Sequence, residues 1–290
     1  MIKPAFSTVA CPTWTLARVA SEAARTGFMA VELRTFGDGS RQFACEPALT
    51  DPAKTRRLMG EQGVEIVSIA TGERFDKKVF PPVLGNALGD FEGPIRAAKR
   101  AIDLAVALEC PLVRVFAYQA SPGEKLSRAE ARVSERLKKV VDHADRTGVK
   151  VMVENGGSWN TAEQILGLVE QVGSPLLGVC YNLAVGMSAG DSSRRALQTL
   201  QGKLLALRLM DWSQHQPVPL GMGDTPCAEA VKALASSGFA GPLVYEWNRA
   251  WMPGLDPAEH VLPGAAKTLY RWVSETISVP GKTSRTTASV

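Results

Sequence analysis

The sequence predicts a single α/β (β/α)8 barrel, and three observations carry that prediction. Eight short β-branched or apolar runs alternate with longer segments of helical period, the pattern of repeated βα units rather than of a sandwich. The length of 290 residues suits one barrel, a fold that commonly runs to about 250 residues as one unit. No GxGxxG, and no GxxxxGK followed by Ser or Thr, comes after the first run, which removes the usual signature of a doubly wound sheet with the same element order.

The expected strands are AFSTVA at 5–10, AVELR at 30–34, EIVSIAT at 65–71, LVRVFA at 112–117, KVMVEN at 150–155, LLGVCYN at 176–182, LLALRLMD at 204–211 and PLVYEWN at 242–248. Helix-length segments follow them. Four of these, TLARVASEAARTG, SRAEARVSERLKKVVDHADRTG, TAEQILGLVEQVG and TPCAEAVKALASSG, close on Gly27, Gly148, Gly173 and Gly238, residues suited to a left-handed cap before the next strand. The barrel is assigned to residues 1–278 and a flexible tail to 279–290, where GKTSRTTASV is small and polar with no apolar period.

An apolar fraction of 45% and a charged fraction of 21% are those of an ordinary globular chain with a sizeable core. The net charge of +4 is spread out, and no stretch packs five or more Lys or Arg, so no nucleic-acid partner is expected. Cys11, Cys45, Cys110, Cys180 and Cys227 form no CxxC pair and are odd in number, which reads as reduced, mostly buried thiols. The N-terminus lacks a signal-peptide core, and nothing later approaches 18 uninterrupted apolar residues. A cytoplasmic protein with no membrane partner is expected.

Chemistry in such barrels sits at the carboxyl ends of the strands, and several strands here carry charges where apolar residues belong. Glu32 lies in AVELR, Arg114 inside LVRVFA, Glu154 near the end of KVMVEN, Arg208 inside LLALRLMD and Glu246 in PLVYEWN, while Asn182 ends LLGVCYN. Counting by twos puts Met152 with Glu154, Cys180 with Asn182, Ala206 with Arg208, and Val244 with Glu246. If those faces point inward, four polar groups from consecutive strands converge, and two carboxylates in that space need a counter-charge. Arg208 is the candidate; a structural ion-pair network is the competing reading.

The segments STVACPTWTLARVASEAARTGFMAVELR, VMVEN, LGVCYN, PLGMGD and YEWNRAWMPGLDPAEHVLP resemble, in barrel order, the motifs of the xylose isomerase-like sugar phosphate isomerases and epimerases, a TIM barrel family. The resemblance covers about the first 275 residues. It implies a divalent cation held by a Glu ending strand five, an Asp ending strand six, a His in strand seven and a Glu ending strand eight, with the two glutamates doubling as acid and base beside a carbonyl. The matching positions here are Glu154, Asn182, Arg208 and Glu246. An amide oxygen still suits a hard cation, but a guanidinium has no lone pair and repels one. The chain also has Gly156, Met210 and Trp251-Met252-Pro253 where the family tends to carry His, Lys and a WHP run.

No cofactor is therefore expected; Mn2+, Mg2+ or Zn2+ is the alternative, with two of its four usual ligands replaced by Asn182 and Arg208. Arg208 is expected to stand in for the metal, pairing with the glutamates and leaving a bidentate donor for a substrate carboxylate, phosphate or enolate oxygen. Glu154 and Glu246 are the expected catalytic pair. Arg208, Asn182, Arg114, Glu32, Asp211, His215 and Trp251 are the substrate-binding candidates.

His215 is placed after Asp211 in the loop following strand seven, where it could act near neutral pH or merely be solvated. Asp211 orients neighbours of Arg208 or caps its loop. Trp14, Trp212, Trp247 and Trp251 crowd the predicted mouth, stacking on a sugar face or filling space. In PLGMGDTP the amide nitrogens could meet a phosphate. Three histidines, none in a ligand pair, argue against the three-zinc apurinic-site endonucleases of the same fold, and no GxSxG supports a hydrolase.

Two functions follow. One is an isomerase- or epimerase-like enzyme working by proton transfer on a small sugar, keto-sugar or hydroxy-carbonyl compound. The other is a non-catalytic barrel that binds a small ligand or partner protein; under either function the chain could also form a homo-oligomer. Two surviving glutamates favour the first, and a mouth sealed by an Arg208 salt bridge would favour the second.

Overall fold

The structure is a computed structural model that describes residues 1–35, 51–78 and 92–277. Cys45 and the tail expected at 279–290 lie outside the described residues.

The strands are β1 Lys3–Ser7, β2 Ala30–Arg34, β3 Glu65–Arg74, β4 Leu112–Phe116, β5 Lys150–Glu154, β6 Leu177–Asn182, β7 Leu204–Leu209, β8 Asp211–Ser213, β9 Gln216–Val218 and β10 Pro242–Tyr245. The helices are α1 Leu16–Thr26, α2 Pro52–Glu61, α3 Gly93–Ala107, α4 Leu126–His143, α5 Ala162–Val172, α6 Leu183–Ser188, α7 Ser193–Thr199, α8 Cys227–Ser236 and α9 Ala258–Ile277. Strands β1 to β7 and β10 pair in parallel and close into a barrel in the order β1-β10-β7-β6-β5-β4-β3-β2. The predicted (β/α)8 barrel is the observed fold. Among the described residues no helix is long and apolar enough to cross a membrane.

The ends of the elements follow local chemistry. Thr15 caps α1 by accepting from the Arg18 amide at 3.2 Å, and Thr161 with Gln164 forms a complete capping box on α5. Gly27 and Gly173 end α1 and α5 in the left-handed region, at φ 91° and 71°. Gly148 and Gly238 are also left-handed, yet α4 and α8 stop earlier, at His143 and Ser236. The first strand is shorter than expected because Thr8–Ala10 turns into a short 3-10 helix. The seventh stops at Leu209, since Asp211–Ser213 leaves the barrel to pair antiparallel with Gln216–Val218.

Inside the barrel, Ala5, Ala30, Val67 and Val244 form one apolar cluster, and Leu112, Met152, Cys180 and Ala206 another. Both are buried and apolar, so the N-terminal part of the interior is a packed core rather than a pore. Two residues further along these strands come Ser7, Glu32, Arg114, Glu154, Asn182, Arg208 and Glu246, the next positions on the same inward face. On β3 the register slips opposite Val31 and Glu32, and this bulge sets Ser68 beside Glu32.

Candidate functional site

The ring of inward polar residues closes around one guanidinium. Arg208 is fully buried, and its Nη2 donates to both oxygens of Glu32 at 2.8 and 2.9 Å. Its Nη1 donates to Glu246, and its Nε lies 3.1 Å from Glu154 Oε2. Arg114 adds a second cation, with Nε 3.1 Å from the same Glu154 oxygen and Nη1 donating to the Thr71 carbonyl at 2.9 Å. Asn182 Nδ2 donates to Glu154 Oε1 at 3.0 Å, and Ser68 Oγ to Glu32 at 2.9 Å. With all groups ionised, three carboxylates face two guanidiniums and the ring stands at −1. Such burial is tolerable only because each charge has partners within about 3 Å.

The three carboxyls are not equivalent. Burial works against ionisation of Glu32, yet Arg208 and Arg114 hold it below the ordinary carboxylate range. Glu246 is pushed up, first by burial and then, against the pull of Arg208, by the negative charges of Glu154 and Glu32. The Glu246 side chain keeps 13% of its surface exposed, against none for Glu32 and 6% for Glu154, so Glu246 is the carboxyl that opens most to the mouth. Burial opposes charge on Arg208 too, but the three carboxylates outweigh it and hold it protonated. Burial, then Glu154, pushes the Cys180 thiol beneath the ring up to about 12, so it stays a thiol at neutral pH.

This donor set does not fit a divalent cation. The family positions Glu154, Asn182, Arg208 and Glu246 do converge, but the guanidinium lies between the two glutamates. The Asn182 Oδ1 that would serve a metal instead accepts from the Val185 amide at 3.3 Å, as the cap of α6. Among the described residues no group of three or more His, Cys, Asp or Glu is arranged to hold a metal ion. The bidentate donor expected to be left on Arg208 is taken, because Nε, Nη1 and Nη2 each face a protein carboxylate.

The other candidates divide. Asp211 is buried, and its two oxygens accept from the amides of Trp212, Gly221, Gly223 and Thr225 at 2.8 to 3.2 Å. It is the loop's anchor rather than a ligand contact. The amides of PLGMGDTP that sequence offered to a phosphate are therefore taken, and a Cβ at Gly223 would stand 2.3 Å from Asp211 Oδ1. His215 and Gln214, at φ 62° and 49°, make the exposed tip of the β8–β9 hairpin, outside the ring. Trp14 and Trp247 are buried, the latter donating to the Asp256 carbonyl at 2.8 Å. Trp251 is 53% exposed, with the Arg34 guanidinium 5.9 Å from its ring centre.

Sequence reasoning missed Arg34, Arg74 and Tyr118. Arg34 ends β2, and its Nη1 donates to the carbonyls of Ala70 and Thr35 at 2.9 and 3.0 Å. Burial, then the nearby Arg114, draws it down to about 9, still a cation at neutral pH. Tyr118 follows β4 at φ 73°, a conformation costing a non-glycine residue on the order of 1–2 kcal/mol. The neighbouring Gly156-Gly157-Ser158 was the available signal for it: Ser158 donates its amide to the Tyr118 carbonyl at 2.9 Å, and a Cβ on Gly157 would come within 2.3 Å of that carbonyl.

Comparison with known proteins agrees with the fold. A 3-dehydroshikimate dehydratase of Pseudomonas putida is 28% identical over 216 residues, covering 67% of this chain but 31% of the relative; the chain thus spans about a third of that relative's length. Among solved structures, an L-ribulose 3-epimerase superposes with a TM-score of 0.77 at 16% identity, over 97% of this chain and 100% of that one. The IolI protein, solved with a bound zinc atom, gives 0.76 at 16% identity, over 96% and 100%. The model of the xylose isomerase-like TIM barrel matches residues 20–272, and the chain belongs to that family.

Proposed function

We propose that this chain is a metal-independent acid–base enzyme of isomerase or epimerase type, acting on a small sugar, keto-sugar or hydroxy-carbonyl compound. Glu246 carries the reading. It is the carboxyl of the ring most open to the mouth, and burial beside like charges favours its acid form, the state that gives and retakes a proton next to a carbonyl. Glu154, tied to Arg114, Arg208 and Asn182, is the second carboxylate and the partner in proton exchange. Arg208 holds Glu32, Glu154 and Glu246 together, and Arg34 and Arg114 supply positive charge to a developing enediolate. Relatives named as a dehydratase and a 3-epimerase support this substrate class, both names describing changes at carbons of hydroxy-carbonyl compounds.

The test is solvent exchange. In D2O with chelator present, the protein should introduce deuterium beside the carbonyl of a ketose or hydroxy-ketone in a panel followed by proton NMR, and Glu246→Gln should abolish it. Exchange that appears only after adding Mn2+ would overturn the proposal.

The lock on Arg208 favours a second reading, a barrel that binds its ligand without turnover. In that case the panel yields thermal stabilisation by one compound and no exchange.

A further inference from the structure

Stacked groups run outward from the ring along the ends of β3 and β4. The Arg114 guanidinium lies 4.2 Å from the Phe116 ring centre, Phe116 meets Tyr118 edge-on at 6.3 Å, and the Arg74 guanidinium lies 3.6 Å from the Tyr118 ring centre. Asp76 fixes Arg74 through Nε at 3.3 Å and Nη2 at 2.7 Å. The third nitrogen, Nη1, and the Tyr118 hydroxyl have no hydrogen-bond partner among the described residues, although the Arg74 side chain is 45% and Tyr118 37% exposed.

A connection that only joined β4 to α4 would place Gly or Asn at φ 73°. Tyrosine stands there instead, and the loop after Glu154 is built to hold it. Ser158 binds the Tyr118 carbonyl with its amide and accepts the Ala120 amide on Oγ at 3.0 Å, while Gly157 leaves the room that a side chain would fill. Strain maintained by surrounding structure marks ligand clamps. A guanidinium stacked on an aromatic ring, with its plane set by a carboxylate, is preorganised to present its remaining donors.

We infer that Arg74 and Tyr118 form a recognition arm for an anionic group, carboxylate or phosphate, carried by the small molecule this barrel takes. Arg74 Nη1 and the Tyr118 hydroxyl donate to the anion, and the rest of that molecule extends toward Glu246. This last point rests on the proposed function; the anion site does not.

Calorimetric titration of the full chain with inorganic phosphate and with malonate tests it. The protein should bind at least one probe saturably. Arg74→Gln should weaken that binding roughly tenfold and Tyr118→Phe about threefold, with circular dichroism unchanged. Arg74→Lys should restore only part, since a point charge lacks the planar fork. No saturable binding of either probe, or equal affinity in the protein and in both the Gln and Phe variants, overturns the inference. Glu246→Gln separates it from the catalytic proposal: exchange is lost while anion binding remains.

Discussion

Replacing Arg208 by Met keeps much of the side-chain volume and removes the charge that three carboxylates share. Glu32 loses both Nη2 bonds and keeps Ser68, Glu246 loses its bond to Nη1, and Glu154 is left with Arg114 and Asn182. Removing one partner of a buried ion pair costs about 3–5 kcal/mol, and of the orphaned groups Glu32 is fully buried while Glu246 keeps 13% of its side chain exposed. At roughly 2–3 °C per kcal/mol for a chain of this length, the midpoint should fall by about 6–15 °C. Urea titration followed by circular dichroism measures the free energy directly. The deficit must also depend on pH. Without Arg208, burial leaves Glu32 and Glu246 with folded pKa values raised above their unfolded ones, so their destabilisation grows as pH rises and shrinks toward pH 5. A loss below about 1 kcal/mol, or one equal at pH 5 and pH 8, would refute the idea that Arg208 neutralises this ring.

Glu32→Gln, at a carboxyl that its partners hold below the ordinary range, should cost about 3 kcal/mol, and Glu246→Gln, at one that burial and like charges push up, should cost less by the same titration; the reverse order would contradict the opposite directions of the two shifts. The double variant Arg208→His with Asn182→Asp restores the family's ligand types and should gain Mn2+-dependent thermal stabilisation that the parent lacks, a gain that failure of the two positions to face one site would prevent. Gly157→Ala, at φ 59° and against the Tyr118 carbonyl, should destabilise by about 2 kcal/mol or more, and a neutral result would show that the two loops are not clamped. Glu124 is drawn down to about 2, first by its hydrogen bond with Arg132. Its folded value lies below the unfolded one, so its contribution, about 1–2 kcal/mol after solvent screening, is complete above about pH 4.3 and fades toward pH 2. The stability gap to Glu124→Gln should therefore narrow between pH 5 and pH 3.

The barrel was legible because strands buried on both faces leave a plain signature: short apolar runs in which a charge stands out. Glu154, Asn182, Arg208 and Glu246 could be aligned by counting in twos from Met152, Cys180, Ala206 and Val244, and the structure brings all four together. Two kinds of information were not available from the residues. One was pairing across the closed barrel: Arg208 and Glu32 are 176 residues apart, and the β3 bulge that supplies Ser68 has no mark in EIVSIAT. The other was backbone direction in loops. Whether Asp211 met a ligand or its own loop depended on four amides converging on it, and the left-handed turn at Tyr118 is held by Gly157 and Ser158 in the loop after β5 rather than favoured by its own residue type.

The central claim is that a guanidinium occupies the place where this family's metal would sit. Metal analysis of the protein purified without chelator, paired with thermal titration by Mn2+ and Zn2+, tests it most directly. The account predicts no stoichiometric metal and no shift that depends on Glu154 or Glu246. One equivalent of Mn2+ or Zn2+, lost on Glu154→Gln, would mean that Arg208 swings away from the ring and that the metal site still works.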